Sequence, residues 1–185
     1  MAPYVNDVAV RWSDQDAYGH VNHARVVTLL EDARTGLLFE AATRAGVAAF
    51  EAGLLVATLE VAYRRPIPWS PAGVRVEMTA QDVRAASFLV AYRLLLPNGS
   101  GGGGFDEAKP AVTATTQLVP YDLATGRPRR LTAEERKFLA RYAGDEAQRS
   151  STIGAGDEAQ RSSTIGAGDG AQRSSTIGAG DEAQP

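Results

Sequence analysis

The chain has 185 residues, a formal net charge of -3 and no cysteine. Without thiols there is no disulfide framework, cysteine nucleophile or thiolate metal site, and without a strongly basic balance nucleic acid is not an expected partner. The start, MAPYVNDVAVRW, has neither a basic leader nor a long apolar run, and no segment approaches the ~20 apolar residues of a membrane span, so a cytoplasmic protein is expected.

Val5 to Trp12 reads as a first strand. Asp14, Asp16 and Gly19 then make an acidic, glycine-bearing turn, followed at once by apolar residues at helical spacing. The spacing predicts a helix from about Asn22 to Arg44, with Val26, Val27, Leu30, Ala33, Leu37, Leu38 and Ala41 on one buried stripe. Leu55 to Tyr63, Val74 to Val83, Ser87 to Leu96 and Ala111 to Val119 read as four more strands. Val74, Val76, Met78 and Ala80 alternate with Arg75, Glu77, Thr79 and Gln81, as in an antiparallel sheet with one face on a core. Pro97 to Gly104, PNGSGGGG, reads as a flexible hairpin connection or insertion. One long helix and a run of antiparallel strands bury their apolar faces best as an α+β fold, the sheet wrapped around the central helix. Open sheet edges then favour pairing with a second copy.

The charges divide the chain. Met1 to Ala143 carries 16 basic and 15 acidic residues and reads as one folded domain, 1–143; residues 144–185 carry 3 basic and 7 acidic. This second part is a twelve-residue tandem repeat, GDEAQRSSTIGA, starting at Gly144, Gly156 and Gly168, with Gly170 replacing Glu in the third copy. Ile153, Ile165 and Ile177 are its only large apolar residues. One such side chain per repeat does not offset the ~1 to 2 kcal/mol of backbone entropy lost for each ordered residue, so a disordered tail is expected rather than a solenoid.

The chemistry concentrates where the acidic turn meets the helix. A carboxylate there lies beside unpaired N–H groups and the positive end of the helix dipole, which polarise a carbonyl oxygen or hold an anion. Asp14 and Asp16 also suit helix capping or turn formation, and the residues alone favour that simpler role. Gly19 lets the chain turn tightly and lets a ligand approach the amides that follow, which are the candidate oxyanion donors. His20 and His23 have an H-x-x-H spacing, but no third ligand lies at a characteristic distance and no metal is expected. Asn22 reads either as an N-cap or as a substrate contact. Arg64 and Arg65, before the proline-broken segment Pro66 to Pro71, are candidate phosphate ligands; Arg127, Arg129 and Arg130 form a second group.

The string DxDxxGHVN from Asp14, followed by Glu31, Asp32, Ala33 and Arg34 in the helix, resembles the hotdog-fold acyl-CoA thioesterases of the 4-hydroxybenzoyl-CoA thioesterase type. Ala62 to Pro71, Ala85 to Leu95 and Thr116 to Glu135 resemble later segments of that family in the same order, so the likeness spans about 140 residues, with the first motif the most specific. The resemblance implies Asp16 as the catalytic carboxylate, with Gly19 and His20 in the same motif and His20 shaping the loop or touching substrate. It implies an acyl-CoA substrate, for which Asn22, Arg64 and Arg65 are the candidate contacts, no cofactor, and a homodimer or homotetramer with active sites between subunits. Val26 and Val27 stand where the family often has an aromatic residue, a departure that bears on the acyl pocket. The competing readings are a hydratase or dehydratase on acyl thioesters, whose downstream Asn-Pro and His motif is not seen, and a non-catalytic acyl-binding protein of the same fold.

Overall fold

A computed structural model describes residues 1–99 and 103–144; the tandem repeat after Gly144, expected to be a disordered tail, and the middle of the glycine-rich connection lie outside the described residues. Strands β1 (Tyr4–Val8), β2 (Leu54–Tyr63), β3 (Val74–Gln81), β4 (Phe88–Leu95) and β5 (Val112–Asp122) form one antiparallel sheet in the order β1-β3-β4-β5-β2, and a two-residue β6 (Arg127–Pro128) pairs with β5. The sheet curls around one helical rod, the hotdog arrangement. The rod is α1 (His23–Thr35), a π-helical stretch Gly36–Ala41, and α2 (Ala42–Arg44).

Period-two patterning builds the inner face. Val74, Val76, Met78 and Ala80 of β3, Phe88, Val90, Tyr92 and Leu94 of β4, and Val112, Ala114, Thr116 and Leu118 of β5 are all buried. Register aligns them across the sheet: Met78 opposes Tyr92, which opposes Ala114. From the rod, Val26, Leu29, Leu30, Ala33, Leu37, Leu38 and Ala42 fill the other side of this core. The expected helix span therefore holds, while the expected stripe shifts: Leu29 and Ala42 are buried and Val27 and Ala41 only half-buried. The wider π turn rotates later residues relative to a strict 3.6 period.

The first strand is shorter than expected. It ends at Val8, and Trp12 lies in a separate 3-10 turn, Trp12–Asp14. Asp7 holds this strand to β3 through a bidentate pair with Arg75 at 2.7 and 2.8 Å, and that hydrogen-bonded guanidinium lowers the Asp7 pKa. β3 likewise ends at Gln81, because Asp82 takes a left-handed φ of 43°. At the junction before β3, Gly73 has φ +68°, and a Cβ there would lie 2.3 Å from the Val8 carbonyl oxygen. Gly73→Ala is expected to destabilise the domain by more than ~1 kcal/mol, since it combines left-handed backbone with a clash against main chain. An unchanged thermal melt would show slack at this junction.

A helix that the strand pattern does not announce, α3 (Ala133–Ala140), closes the end of the core. Thr132 and Glu135 form its capping box: the Thr132 hydroxyl accepts the Glu135 N–H at 3.1 Å and the Glu135 carboxylate accepts the Thr132 N–H at 2.7 Å. Fully buried Glu135 also takes both guanidinium nitrogens of Arg129, at 2.9 and 2.8 Å, an interaction that raises the Arg129 pKa. Phe138 packs edge-on against Phe50 and Tyr142. The chain then runs alongside β3, where the Ala80 N–H donates to Tyr142 O at 2.8 Å and the Gly144 N–H to Ala80 O at 3.2 Å.

Edge strand β2 is different. A bulge between Val56 and Thr58 shifts its register on β5, so Val56, Leu59, Val61 and Tyr63 share the inner face. The helix does not cover them fully: Val56 and Tyr63 are each 50% exposed and Leu59 36%.

Candidate active site

Backbone pairing brings the two motif-bearing segments together. Gln15 bridges Val21, closing residues 16–20 into a small loop; His20 bridges Pro68, and the Val21 N–H donates to Ile67 O at 2.8 Å. The Trp69 indole N–H donates to Val10 O at 3.1 Å, fastening the same segment to the chain leaving β1. These contacts shape an open cleft of about 350 Å³ lined by Asp16, Val21, His23, Val26, Tyr63, Arg64, Arg65, Pro66 and Ile67.

The two aspartates have separate duties. Asp14 is buried: its Oδ2 accepts the Arg11 N–H at 2.8 Å, its carbonyl accepts the Asn22 N–H at 2.9 Å, and its Oδ1 lies 3.9 Å from Arg25 Nε. It ties the turn to the start of α1. Asp16 is half-buried and lines the cleft. Its Oδ1 accepts the Tyr18 N–H at 2.8 Å and the His20 N–H at 3.3 Å, while Oδ2 takes no hydrogen bond from the described residues. One oxygen thus fixes the side chain and the other is unengaged among the described residues.

Gly19 has φ +77° and nothing within 4 Å of an added Cβ, so it is the left-handed turn rather than a close approach that favours glycine there. Its N–H donates to Asp16 O at 3.1 Å. The amides that follow are largely spent: His20 on Asp16, Val21 on Ile67 and Asn22 on Asp14. The Asn22 side-chain oxygen is engaged as well, accepting the Ala24 N–H at 2.9 Å as the N-cap of α1, while its amide N–H groups have no acceptor among the described residues. His23 is the first residue after that cap. Its N–H has no acceptor among the described residues, and it lies on the cleft at the positive end of a rod extending to Arg44.

His20 contributes main chain: its carbonyl also accepts the Asp16 N–H at 2.7 Å, and its imidazole forms no hydrogen bond among the described residues. His23, marked in the sequence only as half of an H-x-x-H pair, and Tyr63, which no motif marked, line the cleft instead, with the Tyr63 hydroxyl donating to His23 O at 3.1 Å. The signal for His23 was its place one residue after a capping asparagine. Among the described residues no three His, Cys, Asp or Glu side chains gather to hold a metal ion.

Of the arginines, Arg64 is exposed with no side-chain partner among the described residues, whereas Arg65 donates to Lys109 O and pairs with Asp106 at 3.1 Å. Arg65 therefore braces the cleft wall against the loop after β4. Arg129 is committed to Glu135 and to Ala49 O at 2.6 Å, and Arg127 and Arg130 are exposed.

The family model of the thioesterase-like superfamily matches residues 10–141. Curated proteins gave no match to the chain. Among solved structures, the PA5185 protein from Pseudomonas aeruginosa strain PAO1 is 21% identical, with a TM-score of 0.63, covering 78% of this chain and 94% of its own. The probable thioesterase YbaW from Escherichia coli is 24% identical, with a TM-score of 0.58 and coverages of 76% and 98%. A thioesterase from Thermus thermophilus, solved in complex with coenzyme A and Zn, is 25% identical, with a TM-score of 0.59 and coverages of 78% and 97%. With the superfamily model spanning the acidic turn, the rod and the whole of α3, the chain belongs to the thioesterase-like superfamily.

Proposed function

We propose that the protein is an acyl-CoA thioesterase, hydrolysing an acyl thioester to the free acid and coenzyme A. The observation that carries this reading is the Asp16 carboxylate, with one oxygen unengaged, on the same cleft as the free N–H of His23 at the head of the helical rod. The His23 N–H and the helix dipole stabilise the oxyanion that develops on the thioester carbonyl. Asp16 either adds to the carbonyl carbon to give a mixed anhydride, which water then opens, or deprotonates the attacking water. In both routes the tetrahedral intermediate collapses by breaking the C–S bond, and the thiolate leaves. Gly19 and His20 hold Asp16 through the loop backbone, and Asn22 caps the helix that supplies the amide.

The coenzyme A handle is supported by the thioesterase from Thermus thermophilus, which was solved with that molecule, and by the free guanidinium of Arg64 on the cleft beside braced Arg65. A panel of acyl-CoAs followed by thiol release tests the reading, and no release from any member would overturn it. His23 on the same cleft as Asp16 is the observation that favours a second reading, an acid–base pair for hydration. Loss of the enoyl absorbance of crotonyl-CoA without thiol release would select that alternative.

The assembly is part of the proposal. Val56, Leu59 and Tyr63 are only partly covered on the inner face of a ten-residue edge strand, and an open edge with apolar side chains is a surface for a second copy. Because Tyr63 also lines the cleft, that copy would border the site. Light scattering at micromolar concentration is expected to give a dimer or tetramer. A fully active monomer would contradict a site shared between subunits.

A further inference from the structure

The cleft grades from a polar rim to an apolar floor. His23, Tyr63 and Arg64 are exposed, Asp16 is half-buried, and Val21, Ile67 and Val26 are 7%, 3% and 1% exposed. Val26 sits one turn into α1. Helical side chains lean toward the N-terminus, so it leans toward the turn that carries the free His23 N–H. A thioester carbonyl held by that N–H therefore has its acyl carbons running down onto Val26. Behind Val26, Leu29 and Leu30 are fully packed, and Ile67 on the opposite wall is fixed by its carbonyl bond from Val21.

Resting on the thioesterase reading above, we infer that Val26 is the depth stop of the acyl pocket and that the substrate carries a short, saturated aliphatic acyl group. The cleft is open above this floor, and the open part is where the thioester and the start of the pantetheine arm would lie. The floor is walled by Val21, Val26 and Ile67, with no polar side chain among them. A hydroxyl or carboxylate at the acyl terminus would lose its water there with no side-chain partner in return. The valine, in place of a larger residue, leaves room for a few carbons, and the packed leucines behind it leave room for no more.

The test compares wild type, Val26→Ala and Val26→Ile on acetyl-, butyryl-, hexanoyl-, octanoyl-, dodecanoyl- and 4-hydroxybenzoyl-CoA. Thermal melting of each protein confirms folding. For wild type, kcat/KM should rise about four- to tenfold per methylene until the floor is reached and then fall. Val26→Ala should move the optimum to a longer chain and Val26→Ile to a shorter one. If Val26→Ala does not fold, the shortening by Val26→Ile decides alone. An optimum that stays in place in every folded variant would overturn the inference while leaving the hydrolase reading intact, as would a wild-type preference for dodecanoyl- or 4-hydroxybenzoyl-CoA. Hydrolysis of none of the six would remove both.

Discussion

Asp16→Asn is expected to lower turnover at least a hundredfold, about 2.7 kcal/mol of transition-state stabilisation, with folding and assembly unchanged. The substitution suits the geometry because an asparagine carbonyl oxygen still accepts the Tyr18 and His20 N–H groups that Oδ1 now holds. The loop keeps its shape and only the basic, nucleophilic character of the second oxygen is lost. Asp14→Asn makes the contrast. It retains an acceptor for the Arg11 N–H but weakens the charge contact to Arg25, so turnover should change less than tenfold. Steady-state rates on the best acyl-CoA decide between them. Equal rates for wild type and Asp16→Asn would sink the mechanism, and a larger loss at Asp14 would transfer the role to the other aspartate.

The largest expected effect on stability lies far from the cleft, at Glu135→Ala. This carboxylate is fully buried, takes two bonds from Arg129 and one from the Thr132 amide, and so joins β6, the entry to α3 and the Ala49 carbonyl through one arginine. Removing it leaves a guanidinium only 20% exposed without its anion. Breaking a pair of this kind typically costs ~3 to 5 kcal/mol, which for a domain of this size lowers the melting temperature by roughly 10 °C or more. Replacing both residues together by apolar side chains should recover much of that loss, because the cost comes from the stranded charge. A melt within a few degrees of wild type for the single variant would mean that water reaches Arg129 and the pair is not an anchor.

The elements legible in the sequence were those with a clean period. Four strands and the rod were placed within a few residues because alternation in β3 and helical spacing after Asn22 report directly which side chains a core buries. The misses have local causes. The π turn at Gly36–Ala41 moves burial from Ala41 to Ala42, and no propensity marks it. The span of β2 was legible, but its bulge puts Val56 and Leu59 on one face three residues apart, which strand alternation does not give. Helix α3 does carry a sequence signal, Thr132 three residues before Glu135, but its eight residues are too few for the apolar spacing to announce it. At the site, the sequence pointed to Asp16 only through its family resemblance and offered Arg64 and Arg65 as phosphate ligands, and the three line one cleft. It could not tell which amides would be spent within the loop, because that depends on the Ile67 carbonyl, 46 residues away in sequence from the Val21 amide it accepts. Nor could it separate Arg64 from Arg65, since the difference is made by Asp106 and the Lys109 carbonyl beyond the next hairpin.

The two borders of the sheet are unequal, and this bears on how large an assembly can grow. On one side β1 offers five residues, Asn6 reaching back to the Ala33 carbonyl and Asp7 occupied by Arg75, with Tyr142 and Gly144 bonding to Ala80 along the same side of β3. The other side is the ten-residue β2. If two copies join β2 to β2 about a two-fold axis, the long border is used up on both, and among the described residues what remains is the five-residue β1 with an ion-paired aspartate on it, the kind of border that resists further pairing. Growth then stops as a closed, self-complementary object instead of propagating as a fibre, and a lysine introduced at Leu59 would be expected to expose the same strand to solvent as separate subunits.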